Sequence, residues 1–220
     1  MYVNRTNGYA PVIDVPREGT APLLAKVLGI TALGFLVTAM GVATAPAWSM
    51  MPGFIAVLAL IFAINAVRRR SDNLALGLFL ALAFFMGWEI APIIHMYVRT
   101  IGTYVVFQAA MTTALGMTAM ACVSYLVSID YRRIQGIATG ALLLLIIAGI
   151  ASAFFHFMSP NTYSWIALAI FTALTIADFA RIRAGGDGMS ATQLAVGIYL
   201  DAINIFIILL QLFGGGRRRD

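Results

Sequence analysis

Apolar positions in this chain fall in long unbroken blocks, separated by short polar breaks. The blocks cover residues 23–45, 52–67, 74–95, 104–127, 134–155, 163–180 and 191–213. A helix crossing about 30 Å of hydrocarbon needs about 20 apolar residues, so the pattern predicts seven transmembrane helices. No run alternates apolar and polar residues with a period of two, which argues against a membrane β-barrel. The second block is the shortest and ends at Arg68, Arg69 and Arg70, whose aliphatic stems can snorkel and lengthen the span. Residues 1–22 carry Pro11, Pro16, Pro22, Gly8 and Gly19 without periodicity and are expected to be a flexible tail. Ala43, Thr44 and Ala45 look like a processing site, but the apolar run before them exceeds the roughly 7–15 residues of a signal peptide. Residues 214–220, three glycines, three arginines and an aspartate, are expected to form a flexible basic tail. The chain therefore divides into tail 1–22, membrane domain 23–213 and tail 214–220.

Composition strengthens the membrane assignment. Of the 220 residues, 61% are hydrophobic and 10% are charged, against about 25% charged in a typical soluble domain. Mean hydropathy is +0.92. These values exclude a soluble enzyme, a nucleic-acid-binding domain and a disordered chain. The net charge of +5 sits in clusters between apolar blocks, so it points to topology and the lipid bilayer, not to a nucleic-acid partner. The single cysteine, Cys122, cannot form an intrachain disulfide.

Those clusters predict the orientation. Arg5, Arg17, Lys26, Arg68, Arg69, Arg70, Arg132, Arg133, Arg181 and Arg183 fall on one side; Arg99, Arg217, Arg218 and Arg219 fall on the other. The positive-inside rule places the N-terminus in the cytoplasm. Seven crossings then carry the terminal arginines outside, against the same rule. The early helices usually dominate the choice.

Three acids lie within apolar blocks: Glu89, Asp178 and Asp201. A carboxylate at the centre of a membrane costs at least about 3 kcal/mol, so each needs a reason. Thr172, Thr175 and Asp178 are spaced by three, on one face of the sixth helix. Asp201, Asn204 and Gln211 form a polar stripe on a seventh helix otherwise made of Ile, Leu and Phe, and such a stripe is expected to face the bundle interior or water. Taken singly, Asp178 can snorkel to the inner interface and Asp201 can be a protonated, hydrogen-bonded core acid. Together they suggest a coupled pair sharing a proton. Asp178 lies about 22 Å from the outer start of its helix and Asp201 about 15 Å from the inner start of its own. This leaves a mismatch of several ångströms. Glu89 precedes Pro92, which frees a backbone carbonyl; it either lines an outer vestibule or snorkels. His95 and His156 lie at outer helix ends without metal-ligand spacing. Gly136 and Gly140 have the spacing of a helix-packing pair.

The segment Ile198-Tyr199-Leu200-Asp201-Ala202-Ile203-Asn204, followed by Phe206, Leu209 and Leu210, resembles the last-helix motif of the Bax inhibitor-1-like (transmembrane Bax inhibitor motif) family. The triple arginine, Gly102-Thr103-Tyr104-Val105-Val106, Phe157-Met158-Ser159-Pro160 and the Asp178 segment are similar to its bacterial members. The resemblance implies an all-α fold of seven transmembrane helices with the last wrapped by the other six. It also implies a pH-dependent calcium leak. It matches Asp178 and Asp201 to the family's paired aspartates, a pH sensor and transient calcium site. Arg68 matches the arginine that latches the sixth-helix aspartate in the closed state. Glu89 and the arginine-rich tail depart from the pattern.

The expected function is thus a leak channel with no cofactor, calcium as the permeant ion and protons as the regulator. Asp178 and Asp201 are the sensor and Arg68 the latch; Glu89, Asn204, Thr175 and Gln211 are candidate pore-lining residues. An intramembrane aspartyl protease also uses two aspartates on adjacent helices, but the Gly-x-Gly-Asp segment of such enzymes is replaced here by Ile198, Tyr199 and Leu200 before Asp201, so no enzyme is expected. A retinal protein needs a lysine in the last helix, and the only lysine is Lys26. An interaction protein acting on a membrane-bound protease or a cell-death pathway is the remaining alternative. The sequence sets no oligomeric state, and a monomer is consistent with it.

Overall fold

The computed structural model describes residues 19–67 and 71–216. Each apolar block is a helix: α1 (Thr20–Thr44), α2 (Met50–Val67), α3 (Asp72–Thr100), α4 (Thr103–Leu126), α5 (Tyr131–Phe155), α6 (Pro160–Arg183) and α7 (Ala191–Gly216). All seven are long and apolar enough to cross a membrane, and there is no strand among the described residues. The termini are set by local chemistry. Ser71, Asp130 and Ser159 each accept a bond from a backbone N–H in the first turn of α3, α5 and α6, and Pro160 opens α6 where its missing N–H has no cost. Helices α1 and α7 take in residues 20–22 and 214–216, which the sequence assigns to the tails. Residues 1–18 and 217–220 of the two tails lie outside the described residues.

Helix α3 runs five residues beyond the expected His95 and passes through Pro92. Proline removes the bond to the carbonyl four residues earlier, which is that of Trp88. Ser49, in the α1–α2 connection and fully buried, donates its hydroxyl to that carbonyl at 2.8 Å. The freed acceptor is satisfied, and the helix continues.

The seams run α1–α3, α2–α3, α5–α6, α6–α7, α4–α6, α4–α7 and α1–α7, with a lighter α3–α7 contact. Half of the apolar window of α7 is buried, the largest share of any span. Its direct seams are with α1, α3, α4 and α6; α2 stands outside α3 and α5 outside α6. Close approach of α1 and α3 depends on Gly41 and Gly87, where a Cβ on either would strike the facing backbone. Gly136 and Gly140 do not serve this purpose: both are exposed on α5, with nothing within 4 Å of a Cβ.

Tyr199 of α7 is fully buried against Phe79 of α3 and Phe35 of α1, with ring centroids 5.2 and 5.4 Å away. Its hydroxyl meets Thr38 Oγ1 at 2.6 Å. Other threonines within the spans turn back on their own helix, as in Thr31 to the Val27 carbonyl at 2.9 Å and Thr113 to that of Ala109 at 2.8 Å.

Candidate functional site

The end of the bundle that holds Lys26, Arg132, Arg133, Arg181 and Arg183 is called the basic end here. Near it the α6–α7 seam carries both buried aspartates. Asp178 is 8% exposed and Asp201 is 7% exposed. The helices run antiparallel across a short loop, and their register is fixed by two pairings. Asp178 faces Gly197: a Cβ there would lie 2.5 Å from Asp178 Oδ2. Thr175 faces Asp201: its hydroxyl lies 3.3 Å from Asp201 Oδ2. Gly197 and Asp201 are four residues apart on α7, so the carboxyls share one seam with a stagger of about 6 Å, one helical turn.

Each carboxyl has its own partners. Asp178 Oδ1 accepts from Gln135 Nε2 of α5 at 3.2 Å and from Arg181 Nη1, one turn along α6, at 3.3 Å. Arg181 is itself only 17% exposed in its side chain, so this pair is shielded from water and screened less than a surface one. Asp201 has the Thr175 hydroxyl, which also lies 2.8 Å from the Phe171 carbonyl of its own helix. Arg68, matched to the latch, lies outside the described residues; the guanidinium described on Asp178 is that of Arg181.

The other expected residues are spread out. Asn204 is half-buried and donates to the Leu200 carbonyl of its own helix at 2.8 Å. Gln211 is exposed and accepts from Ser164 of α6 at 3.3 Å, toward the opposite end. The stripe therefore divides between the seam and a site two turns or more away. Glu89 is not brought to the aspartates. It lies on α3 where α2 packs closely at Gly53, half-buried, and its Oε2 has no hydrogen-bond partner among the described residues. Thr172 spends its hydroxyl on the Leu168 carbonyl at 2.7 Å.

Gln135, Arg181 and Gly197 complete the site without having been singled out in the sequence. Arg181 was readable, since residues three apart on a helix are neighbours. Gln135 and Gly197 depend on which helix faces which, and a linear pattern does not carry that.

A groove of about 520 Å³ lies between α1 and α4 over α7. Its threonines, Thr31, Thr38 and Thr113, donate to carbonyls of their own helices, and its other walls are apolar. It offers poor ligands for an ion, in contrast to the α6–α7 seam.

The family model described as "Inhibitor of apoptosis-promoting Bax1" matches residues 20–219. An uncharacterised membrane protein of Streptococcus pyogenes serotype M3 is 30% identical, over 71% of this chain and 70% of its own length. An uncharacterised protein of Borreliella burgdorferi is 28% identical over 90% of this chain and 93% of its own. A third, from Lactococcus lactis, is 25% identical over 94% and 97%.

Proposed function

The chain belongs to the Bax inhibitor-1-like family of membrane proteins, and on that premise we propose that it is a pH-sensitive calcium leak channel with Asp178 and Asp201 as its proton sensor. The observation that carries this reading is the burial of two carboxyls on one helix seam inside a membrane bundle, where burial without function is costly. Carboxylate oxygens are suitable ligands for calcium, and two of them make a weak, passable site, in contrast to the six to eight oxygens of a holding site. The bacterial relatives support a bacterial cell membrane, and the positive-inside rule supports a cytoplasmic basic end and N-terminus.

Hydrogen-bond accounting supports a protonated form of the pair. The Thr175 hydroxyl has one proton and two acceptors, and the shorter contact, to the Phe171 carbonyl, takes it. A protonated Asp201 satisfies the other contact by donating to Thr175 Oγ1. Ionised Asp178 keeps Arg181 and Gln135 as partners; protonating it weakens its bond to Arg181, so acidification shifts the balance between closed and open states. Arg68 supplies the second cation of the closed state by its match to the family's latch.

The test is calcium flux into proteoliposomes between pH 6 and pH 8, with wild type and Asp201→Asn. The wild type is expected to change flux across this range, and the variant to lose most of that dependence. Flux that is the same at both pH values in both proteins overturns the reading.

A further inference from the structure

Outside the seam, the α6–α7 loop carries one acid whose surroundings are unusually complete. Asp187 adopts a left-handed backbone conformation, φ 54°, among Gly185, Gly186 and Gly188, which also have positive φ. For a residue with a Cβ this conformation is uncommon, although aspartate tolerates it better than most. The side chain accounts for it. Asp187 Oδ1 accepts from the Tyr131 hydroxyl and from Arg132 Nη2, each at 2.9 Å. Both donors stand in the first turn of α5, so the loop is pinned to a helix other than the two it joins.

The pin leads back to the seam. The guanidinium carbon of Arg181 lies 5.9 Å from the centroid of the Tyr131 ring, within cation–π range. The same Arg181 donates to Asp178. Gln135, the other donor to Asp178, stands one turn after Tyr131 on α5. An unbroken chain of contacts therefore runs from Asp187 through Tyr131 and Arg181 to Asp178. Arg181 covers Asp178 from the basic end, and the Tyr131 ring supports Arg181.

We propose that Asp187 is a positioning residue: by clasping Tyr131 and Arg132 it seats the Tyr131 ring under Arg181, and Arg181 so held closes the approach to Asp178 from the basic end. This deepens the sensor reading, on which its physiological meaning rests. The clasp itself is a statement about access to one carboxyl and needs no ion flux to be examined.

The experiment measures the initial rate at which a water-soluble carbodiimide and glycine ethyl ester amidate Asp178 in nanodisc-embedded protein, resolved by peptide mass spectrometry. Asp187→Gly removes both clasp bonds and suits a positive φ. It is expected to raise the rate about fivefold, the factor that fits a partly exposed ion pair with its hydrogen bond. Tyr131→Phe keeps the ring and removes one bond, and is expected to raise the rate by a smaller factor; it decides the matter if Asp187→Gly does not fold. Arg181→Gln is expected to raise the rate at least as much, and adding Asp187→Gly to it should produce no further change, because the clasp acts through Arg181. Wild-type rates in folded Asp187→Gly or Tyr131→Phe overturn the proposal. So does an equal rise on adding Asp187→Gly to Arg181→Gln, which would mark a merely loosened structure. A protein that labels as expected but passes no calcium at any pH overturns the leak reading and leaves the clasp standing; pH-dependent flux with unchanged labelling does the reverse.

Discussion

Ser49 Oγ donates to the carbonyl of Trp88 at 2.8 Å, replacing the bond that Pro92 cannot make. Removing the hydroxyl leaves that carbonyl without its donor, at a cost of about 1–3 kcal/mol. Ser49→Ala is therefore expected to lower the melting temperature in detergent, by roughly 2–4 °C for each kcal/mol in a chain of this size. Restoring an ordinary residue at position 92, as Ser49→Ala with Pro92→Ala, should recover part of the loss. An unchanged melting temperature in Ser49→Ala would show that the carbonyl has found another donor.

The pairing of Thr38 with Tyr199 predicts an asymmetry. Thr38 donates to the Gly34 carbonyl at 2.9 Å, so in the 2.6 Å contact Tyr199 is the donor. Tyr199→Phe removes the donor and leaves Thr38 satisfied. Thr38→Val keeps the shape but strands a buried phenol, and should cost about 1–3 kcal/mol more in thermal unfolding than the best-matched apolar pair. The double variant is expected to be more stable than Thr38→Val alone. Equal losses in the two single variants would contradict this donor assignment.

Glycine-to-alanine exchanges should have opposite signs at two positions. At Gly197 the new methyl meets Asp178 Oδ2 at 2.5 Å. That carboxylate is held on its other oxygen by Gln135 and Arg181, so it cannot retreat freely. A loss of about 1–3 kcal/mol is expected, with a displaced pH dependence of flux. At Gly136 nothing lies within 4 Å, and alanine in an exposed helix interior should gain about 0.5–1 kcal/mol. Unfolding curves of the two variants measured side by side test both signs.

Asp187 gives a pH dependence of its own, outside the spans. The hydrogen bond from Arg132 holds its carboxyl below the ordinary carboxylate range, helped by the Tyr131 hydroxyl and opposed by partial burial. With the folded value below the unfolded one, its contribution is complete above about pH 4, the ordinary value, and fades as the pH falls through the folded value. Arg132 is 74% exposed and Asp187 32%, so the contribution is no more than about 1 kcal/mol. Backbone hydrogen exchange of residues 185–189, corrected for intrinsic rates, should be flat from pH 8 to 5 and speed up under more acid conditions. In Asp187→Asn that acid response should disappear.

Much of this was visible in the linear pattern, because seven apolar blocks of membrane length leave little choice of element. The two buried aspartates were visible for the same reason: a charge in an apolar block stands out. Their surroundings were less so. The one-turn stagger of Asp178 and Asp201 depends on Gly197 facing one acid and Thr175 the other, and side-chain packing sets that register. The Gly136–Gly140 spacing was correct for packing, but α5 turns that face outward, while Gly41 and Gly87, far apart in sequence, form the close contact. The run of α3 through Pro92 was legible, but the hydroxyl that compensates for it comes from another segment of the chain and was not.

The placement of α2 has a mechanical consequence. Its 18 residues span about 27 Å, slightly less than a typical hydrocarbon core, and among the described residues its packed seam is with α3. The neighbouring α3 has 29 residues, about 43 Å, and is fixed by contacts on several sides. Hydrophobic mismatch therefore falls on a short helix with one support. A thicker bilayer leaves α2, the shortest span, with the largest mismatch. Bilayer thickness thus bears first on the shortest of the seven helices and on the single seam through which, among the described residues, it joins the bundle.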